Sequence, residues 1–204
     1  MRAAIISGGA VSDYEYIKAQ INPGDTVICA DSGYNHALAM KIQPSIVVGD
    51  FDSIGKVPDH IPCLSFPSKK DLTDTELAVE YAREQGFRDF LLVAATGSRL
   101  DHGLTNILLL KTILERGETA VIIDEHNKVM ITDSYIEINE PYGSIVSLIP
   151  LTTCKGVTTQ NLEYPLHNAT MHVGKGLGVS NTVSGKNAVV TIREGILLVI
   201  VAKD

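Results

Sequence analysis

Ser45-Ile46-Val47-Val48-Gly49-Asp50-Phe51-Asp52-Ser53 is the stretch from which the fold can be read. Three consecutive β-branched residues form a short apolar strand with no polar alternation, the pattern of a strand covered on both faces. The strand stops on Gly49, and two carboxylates follow at once. Residues two apart in an extended segment point the same way, so Asp50 and Asp52 can face one ion while Phe51 turns into the protein. An Asp-rich turn that merely leads into a helix is the plainer alternative. Gly49 allows close backbone approach.

The same grammar recurs on both sides of this stretch. Ala3-Ala4-Ile5-Ile6 is an apolar strand that ends on Ser7-Gly8-Gly9, and Thr26-Val27-Ile28-Cys29-Ala30 ends on Asp31-Ser32-Gly33. Ser12-Asp13-Tyr14-Glu15 has the form of a capping box at a helix start. A short helix around Tyr34 to Met40 follows the second strand. Phe90 to Ala95, a helix from about Asp101 to Glu115, and Thr119 to Ile123 continue the rhythm. Strand–helix alternation of this kind predicts a parallel, Rossmann-like three-layer α/β domain, whose ligands bind beyond the carboxyl ends of the strands.

After Asp124 the rhythm changes to short strands and turns, the clearest being Ser144 to Ile149, Val157 to Leu162, Ala188 to Ile192 and Ile196 to Val201. Glu194-Gly195 reads as a tight hairpin turn between the last two. The expected organisation is therefore an α/β domain over residues 1–133 and an all-β sandwich over residues 134–204.

Bulk properties narrow the function. Of the 204 residues, 45% are hydrophobic and 20% charged, which is enough to bury a proper core. The net charge of -7 argues against a general nucleic-acid binder, which needs a basic face. Cys29, Cys63 and Cys154 are odd in number, widely spaced and without a C-x-x-C, so reduced thiols are expected rather than a zinc or disulfide framework. Met1-Arg2 leads into only a few apolar residues, which is no export signal, and the run Ile196 to Ala202 is far short of the ~20 residues that cross a bilayer. The expectation is a soluble, cytoplasmic protein with no membrane partner.

The chemistry lies in five aspartates carried by three motifs: Asp50 and Asp52; Asp71 and Asp74 in Lys70-Asp71-Leu72-Thr73-Asp74-Thr75-Glu76; and Asp101 in Thr96-Gly97-Ser98-Arg99-Leu100-Asp101-His102. Carboxylates gathered at one sheet edge repel one another unless a hard cation neutralises them, and all-oxygen ligation suits Mg²⁺. Thr73 and Glu76 form a capping box, and the helix they start offers free amides to phosphate oxygens. Ser98 sits in a hydrogen-bonding loop, and Arg99 can make paired hydrogen bonds to phosphate. Asp101 could be a metal ligand or a base for an incoming hydroxyl. Gly174-Lys175-Gly176-Leu177-Gly178 lies among strands with no helix behind it, and no P-loop occurs. Gly8-Gly9 is not a full dinucleotide fingerprint, so a nicotinamide cofactor is unsupported.

Taken in order, Asp31-Ser32-Gly33-Tyr34-Asn35, Gly49-Asp50-Phe51-Asp52-Ser53, Asp71-Leu72-Thr73-Asp74, Arg99-Leu100-Asp101-His102, Ser147-Leu148-Ile149-Pro150-Leu151 and Val179-Ser180-Asn181-Thr182 resemble the motifs of the thiamine pyrophosphokinase family. The resemblance covers essentially the whole chain. It implies transfer of the pyrophosphoryl group of ATP to the hydroxyl of thiamine, giving thiamine diphosphate and AMP, in a homodimer whose thiamine site lies between subunits. It further implies Mg²⁺ held by Asp50, Asp52 and Asp74, with Asp71 close by. Lys70, Thr73, Ser98, Arg99 and Asp101 would handle ATP and the transferring phosphates, and Asp71 or Asp101 would activate the alcohol. Ser180 and Asn181, with Asp31 and Asn35, would border the thiamine or nucleotide site. Ser32 stands where the family more usually has glycine, a mild change if Gly33 alone needs special backbone angles. The rival readings are a Mg²⁺-dependent pyrophosphokinase or phosphohydrolase acting on another alcohol such as a pterin, and a non-catalytic nucleotide or thiamine sensor.

Overall fold

The computed structural model describes residues 1–51, 57–66 and 71–203. They form two compact units, Met1–Glu125 and His126–Asp204.

In the first unit the chain runs β1 (Ala3–Ile6), α1 (Tyr14–Gln20), β2 (Thr26–Ala30), α2 (Gly33–Ala39), β3 (Ile46–Gly49), β4 (Cys63–Ser65), α3 (Asp74–Glu84), β5 (Asp89–Val93), α4 (Leu100–Glu115) and β6 (Thr119–Ile123). The strands pair in parallel in the order β6-β5-β1-β2-β3-β4. All four residues of β1 are fully buried, as expected of a strand with neighbours on both sides and helices on both faces. Ala4, Ile6, Cys29 and Val47 pack with Ile17 of α1 and with Tyr34, Ala37 and Met40 at α2. Strand alternation leaves Ala3, Ile5 and Ile28 for the opposite face, where α3 packs on β1, β2 and β3. The fold class expected from the apolar runs is the one observed.

Two helix starts show how local chemistry sets these elements. Thr73 caps α3 as a capping box: its hydroxyl accepts from Glu76 N at 3.2 Å and the Glu76 carboxylate accepts from Thr73 N at 2.7 Å. Replacing Thr73 with alanine is expected to cost about 1 kcal/mol, read as a lower urea midpoint. The start of α1 differs from the expected Ser12–Glu15 box. Asp13 is the cap and accepts from Tyr16 N at 2.9 Å, while Ser12 N and Asp13 N both donate to the Glu125 carboxylate, at 2.5 and 3.0 Å. A carboxylate arriving from the far end of the unit satisfies amides that a local Glu15 would otherwise have had to reach. These hydrogen bonds outweigh the desolvation of Glu125 and keep its carboxyl below the usual range.

In the second unit β7 (Asn127–Thr132), β8 (Tyr135–Ile138), β9 (Ile145–Pro150), β10 (Cys154–Gln160), β11 (Ala169–Met171), β12 (Asn181–Thr182), β13 (Ala188–Thr191) and β14 (Leu197–Ala202) build two antiparallel sheets. One has the order β12-β9-β14-β7 and the other β11-β10-β13-β8. Their inner faces meet near Gly178, where a Cβ would lie 2.9 Å from Met171 Cε of one sheet and 3.1 Å from Leu148 Cβ of the other. The hairpin expected at Glu194-Gly195 does not form. β13 pairs with β10 and β8, whereas β14 pairs with β7 and β9, so the link crosses from one sheet to the other. The crossing is fixed from both sides: Arg193 N and Glu194 N donate to Lys155 O, Ile196 O accepts from Leu151 N, and Gly195 turns at φ +103°.

All three cysteines are free. Cys29 and Cys154 are buried, and burial pushes the Cys29 thiol up to about 12, out of reach of thiolate chemistry at neutral pH. Among the described residues no helix is long and apolar enough to cross a membrane.

Candidate active site

The chain lays down β1, β2, β3 and β4 outward in one direction and then returns to place β5 on the other side of β1. Open α/β sheets bind ligands where such a reversal parts the loops beyond the strand ends. A cleft of about 530 Å³ opens there, walled by Ser7-Gly8-Gly9-Ala10 after β1 and by Ala94 to Arg99 after β5. Asp31 after β2, Asp50 after β3, and Leu72 to Thr75 at the start of α3 complete it.

The backbone around this cleft is unusual in one respect. Asp31 (φ +42°), Phe51 (φ +64°) and Ala94 (φ +51°) are non-glycine residues in left-handed conformation, and each lies just past the end of a strand. Such positions cost free energy and cluster where a backbone must aim side chains at a ligand. Phe51 does pack against the core, as its apolar character requires. Phe51 itself is not extended, however, because β3 ends at Gly49 and the backbone is left-handed at Phe51; Asp52 lies outside the described residues. Close approach at Gly49 is real: a Cβ there would sit 3.0 Å from that of Asp31. This contact sets the Asp31 backbone directly beside the residue that leads into Asp50.

The floor of the cleft is polar and ordered. Ser7 Oγ and Thr75 Oγ1 lie 2.9 Å apart and are buried, joining the end of β1 to the first turn of α3. Asn106, buried on α4, donates from Nδ2 to Ala95 O at 2.7 Å, and Thr96 Oγ1 donates to Asp124 Oδ2 at 2.6 Å. None of these was singled out from the sequence. A buried Asn on an otherwise apolar helix face, five residues after Asp101, was the available signal.

The predicted site residues separate into those that line the cleft and those that do not. Asp31, Asp50, Thr73, Asp74, Ser98 and Arg99 line it; Asp71, Asn35 and Asp101 are exposed and do not. Asp101 is paired to Arg99 at 2.6 Å, and that guanidinium holds its carboxyl down at about 2. Asp52 and Lys70 lie outside the described residues. In the second unit, Asn181 is buried and its amide is engaged with the Tyr164 backbone, accepting from N at 3.0 Å and donating to O at 2.8 Å. Ser180 is exposed, left-handed at φ +56°, and donates from its backbone N to Ser147 Oγ at 3.1 Å.

Among the described residues no three acidic, histidine or cysteine side chains converge as a ready-made metal cage. Three carboxylates nonetheless line the cleft, those of Asp31, Asp50 and Asp74. Mg²⁺ is usually held by one or two carboxylates together with substrate phosphates and water rather than by an all-protein cage. Asp50 and Asp74 fit that requirement.

A parallel α/β sheet with acidic groups, an arginine and the start of α3 around its switch point defines an enzyme class that handles phosphorylated ligands, here joined to a β-sandwich. The chain belongs to the thiamin pyrophosphokinase family: residues 17–123 match the model of the thiamin pyrophosphokinase catalytic domain, and residues 133–197 that of its vitamin B1 binding domain. It is similar to the thiamine pyrophosphokinase of Bacillus subtilis (strain 168), with 27% identity over 98% of both chains. It is also similar to thiamin pyrophosphokinase 1 of Caenorhabditis elegans, with 25% identity over 77% of this chain and 71% of that one. The crystal structure of the Bacillus subtilis thiamine pyrophosphokinase superposes with a TM-score of 0.91 at 25% identity over the whole of both chains. That of the Geobacillus thermodenitrificans thiamin pyrophosphokinase does so with a TM-score of 0.85 at 26% identity, over 100% of this chain and 98% of that one.

Proposed function

We propose that this protein is a thiamine pyrophosphokinase, which transfers the β,γ-pyrophosphoryl group of ATP to the hydroxyl of thiamine and releases AMP. The observation that carries this reading is the convergence of the Asp50, Asp74 and Arg99 loops on one cleft, in a chain matched along its length by that family. The first unit carries the ATP and Mg²⁺ chemistry, and the second carries thiamine contacts and pairs two copies of the chain in the cytoplasm.

In this reading Asp50, Asp52 and Asp74 hold Mg²⁺, which when bound neutralises phosphate charge and helps align the transfer. The start of α3, capped by Thr73, turns its N-terminus to phosphate oxygens, and Ser98 and Lys70 add further phosphate-binding groups. The thiamine hydroxyl oxygen forms a bond to the β-phosphorus as the bond from that phosphorus to the AMP oxygen breaks. The hydroxyl proton passes to Asp71 or Asp101. Asp101, held at about 2 by Arg99, is a weak base while the pair is intact. Phosphate oxygens that drew Arg99 away would return Asp101 toward the ordinary carboxylate range, coupling substrate arrival to base strength. Asp31 and Asn35 border the substrate, as do Ser180, exposed on its left-handed turn, and Asn181.

Phosphorus NMR of the purified protein with ATP, Mg²⁺ and thiamine tests the assignment. AMP and thiamine diphosphate are expected in equal amounts. ADP with thiamine monophosphate would make the enzyme an ordinary kinase, and no product despite bound ATP would point to another alcohol.

A further inference from the structure

Tyr14 and His36 are not part of the cleft lining, yet they form a hydrogen-bonded chain that ends on its wall. His36 Nε2 lies 2.7 Å from Gly9 O, and His36 Nδ1 lies 2.9 Å from Tyr14 Oη. The two rings are tilted by 44° with centroids 5.7 Å apart. A backbone carbonyl only accepts, so Nε2 must carry the proton. In the neutral imidazole Nδ1 is then the acceptor, and Tyr14 donates to it. The Gly9 carbonyl thus selects the tautomer, and the Tyr14 hydroxyl, able to donate or accept, donates to Nδ1 and orients the ring.

What this chain holds is a loop with no side chains of its own. Gly9 N donates to Ala94 O at 2.7 Å, which ties one edge of the loop to the β5 side of the cleft. Gly9 O on its other edge accepts from His36 Nε2. Glycine is required at Gly9, where a Cβ would meet Thr96 O at 1.9 Å and Ala94 O at 2.5 Å, whereas one on Gly8 would meet Ser32 Oγ at 2.0 Å, a hydroxyl that can rotate away. Two successive glycines gain the room but lose the stiffness, and an external brace supplies it.

We propose that His36, oriented by Tyr14, is a positioning residue that fixes the Gly8–Gly9 wall for the phosphates of the nucleotide. The proposal rests on the ATP reading above. His36 touches no substrate; it acts through the Gly9 carbonyl. The loss of one neutral hydrogen bond weakens nucleotide binding about tenfold and leaves the chemical step nearly untouched.

Asparagine and glutamine dissect the imidazole, because the asparagine amide overlays Nδ1 and the glutamine amide nitrogen overlays Nε2. His36→Asn is expected to raise the KM for ATP about tenfold with kcat within about twofold, and His36→Gln to stay within about threefold of the wild type on both. Equal defects in both variants, or an unaffected His36→Asn enzyme, would overturn the brace. A measurement on the unaltered protein needs no variant to fold: nitrogen-15 NMR of the His36 ring at pH 8 should show an unprotonated Nδ1 and a protonated Nε2, and the reverse tautomer would overturn the proposal. A wild-type protein that neither binds nor turns over ATP would instead remove the functional reading, leaving the tautomer measurement to decide the brace by itself.

Discussion

Asp50→Asn is expected to lower turnover by about a hundredfold or more at saturating ATP and ordinary Mg²⁺, with the fold intact. Asparagine has the same shape as aspartate and one less negative charge, so the substitution tests charge with little change in packing. Asp50 lies just past β3 in a cleft it shares with Asp31 and Asp74. Gathering like charges costs stability in the absence of a cation, so the variant should melt at the same temperature as the wild type or slightly higher. Loss of activity beside unchanged or improved stability is the mark of a group retained for chemistry. Raising Mg²⁺ should recover part of the rate, since a weakened cation site can still be filled by mass action. Turnover within threefold of the wild type would remove Asp50 from the metal site, and with it the main argument that the cleft holds Mg²⁺.

The strand ends where these carboxylates sit were legible because burial on both faces leaves an unambiguous trace, a run of apolar residues that stops on Gly or Asp. Ile46-Val47-Val48-Gly49 and Ala3-Ala4-Ile5-Ile6 are such runs, and both strands have a neighbour on each side. What escaped was decided by partners distant in sequence. Glu125 satisfies the α1 amides from 112 and 113 residues away, a contact that no local capping pattern encodes. The Glu194-Gly195 link has the composition of a hairpin, and hydrogen bonds to Lys155 and Leu151, distant in sequence, direct it to the other sheet. The polar floor of the cleft was invisible for a similar reason. Ser7, Thr75 and Asn106 come from three separate elements and acquire meaning only when β1, α3 and α4 meet.

Gly33 shows how a residue can be recognised in a motif for a reason the structure then replaces. In Asp31-Ser32-Gly33 the serine is a mild change on the condition that Gly33 alone needs special backbone angles. The left-handed residue is Asp31, while Ser32 is helical at φ -58° and accommodates a side chain without strain. Gly33 is required for space. A Cβ at Gly33 would lie 1.9 Å from Ile6 O, 2.7 Å from Ile6 C and 3.0 Å from Ser7 O. Neither side can yield cheaply. Ile6 is fully buried in β1, in register with Cys29 of β2 and Val93 of β5, and α2 is anchored in the core by Tyr34 and Ala37. Overpacking at an ordinary core position costs 1–3 kcal/mol, and a clash with locked backbone belongs at or above the top of that range, so Gly33→Ala is expected to cost about 3 kcal/mol or more. Gly24→Ala is the control: nothing lies within 4 Å of its Cβ, and its effect should stay within about 0.5 kcal/mol. Urea denaturation of the two variants beside the wild type makes the comparison. Because Ile6 and Ser7 carry the chain into the Gly8–Gly9 wall, any Gly33→Ala protein that does fold should also bind ATP more weakly. A variant that matches the wild type in both midpoint and nucleotide affinity would mean that α2 can slide on β1, and the wall of the cleft would then owe its position to something other than this contact.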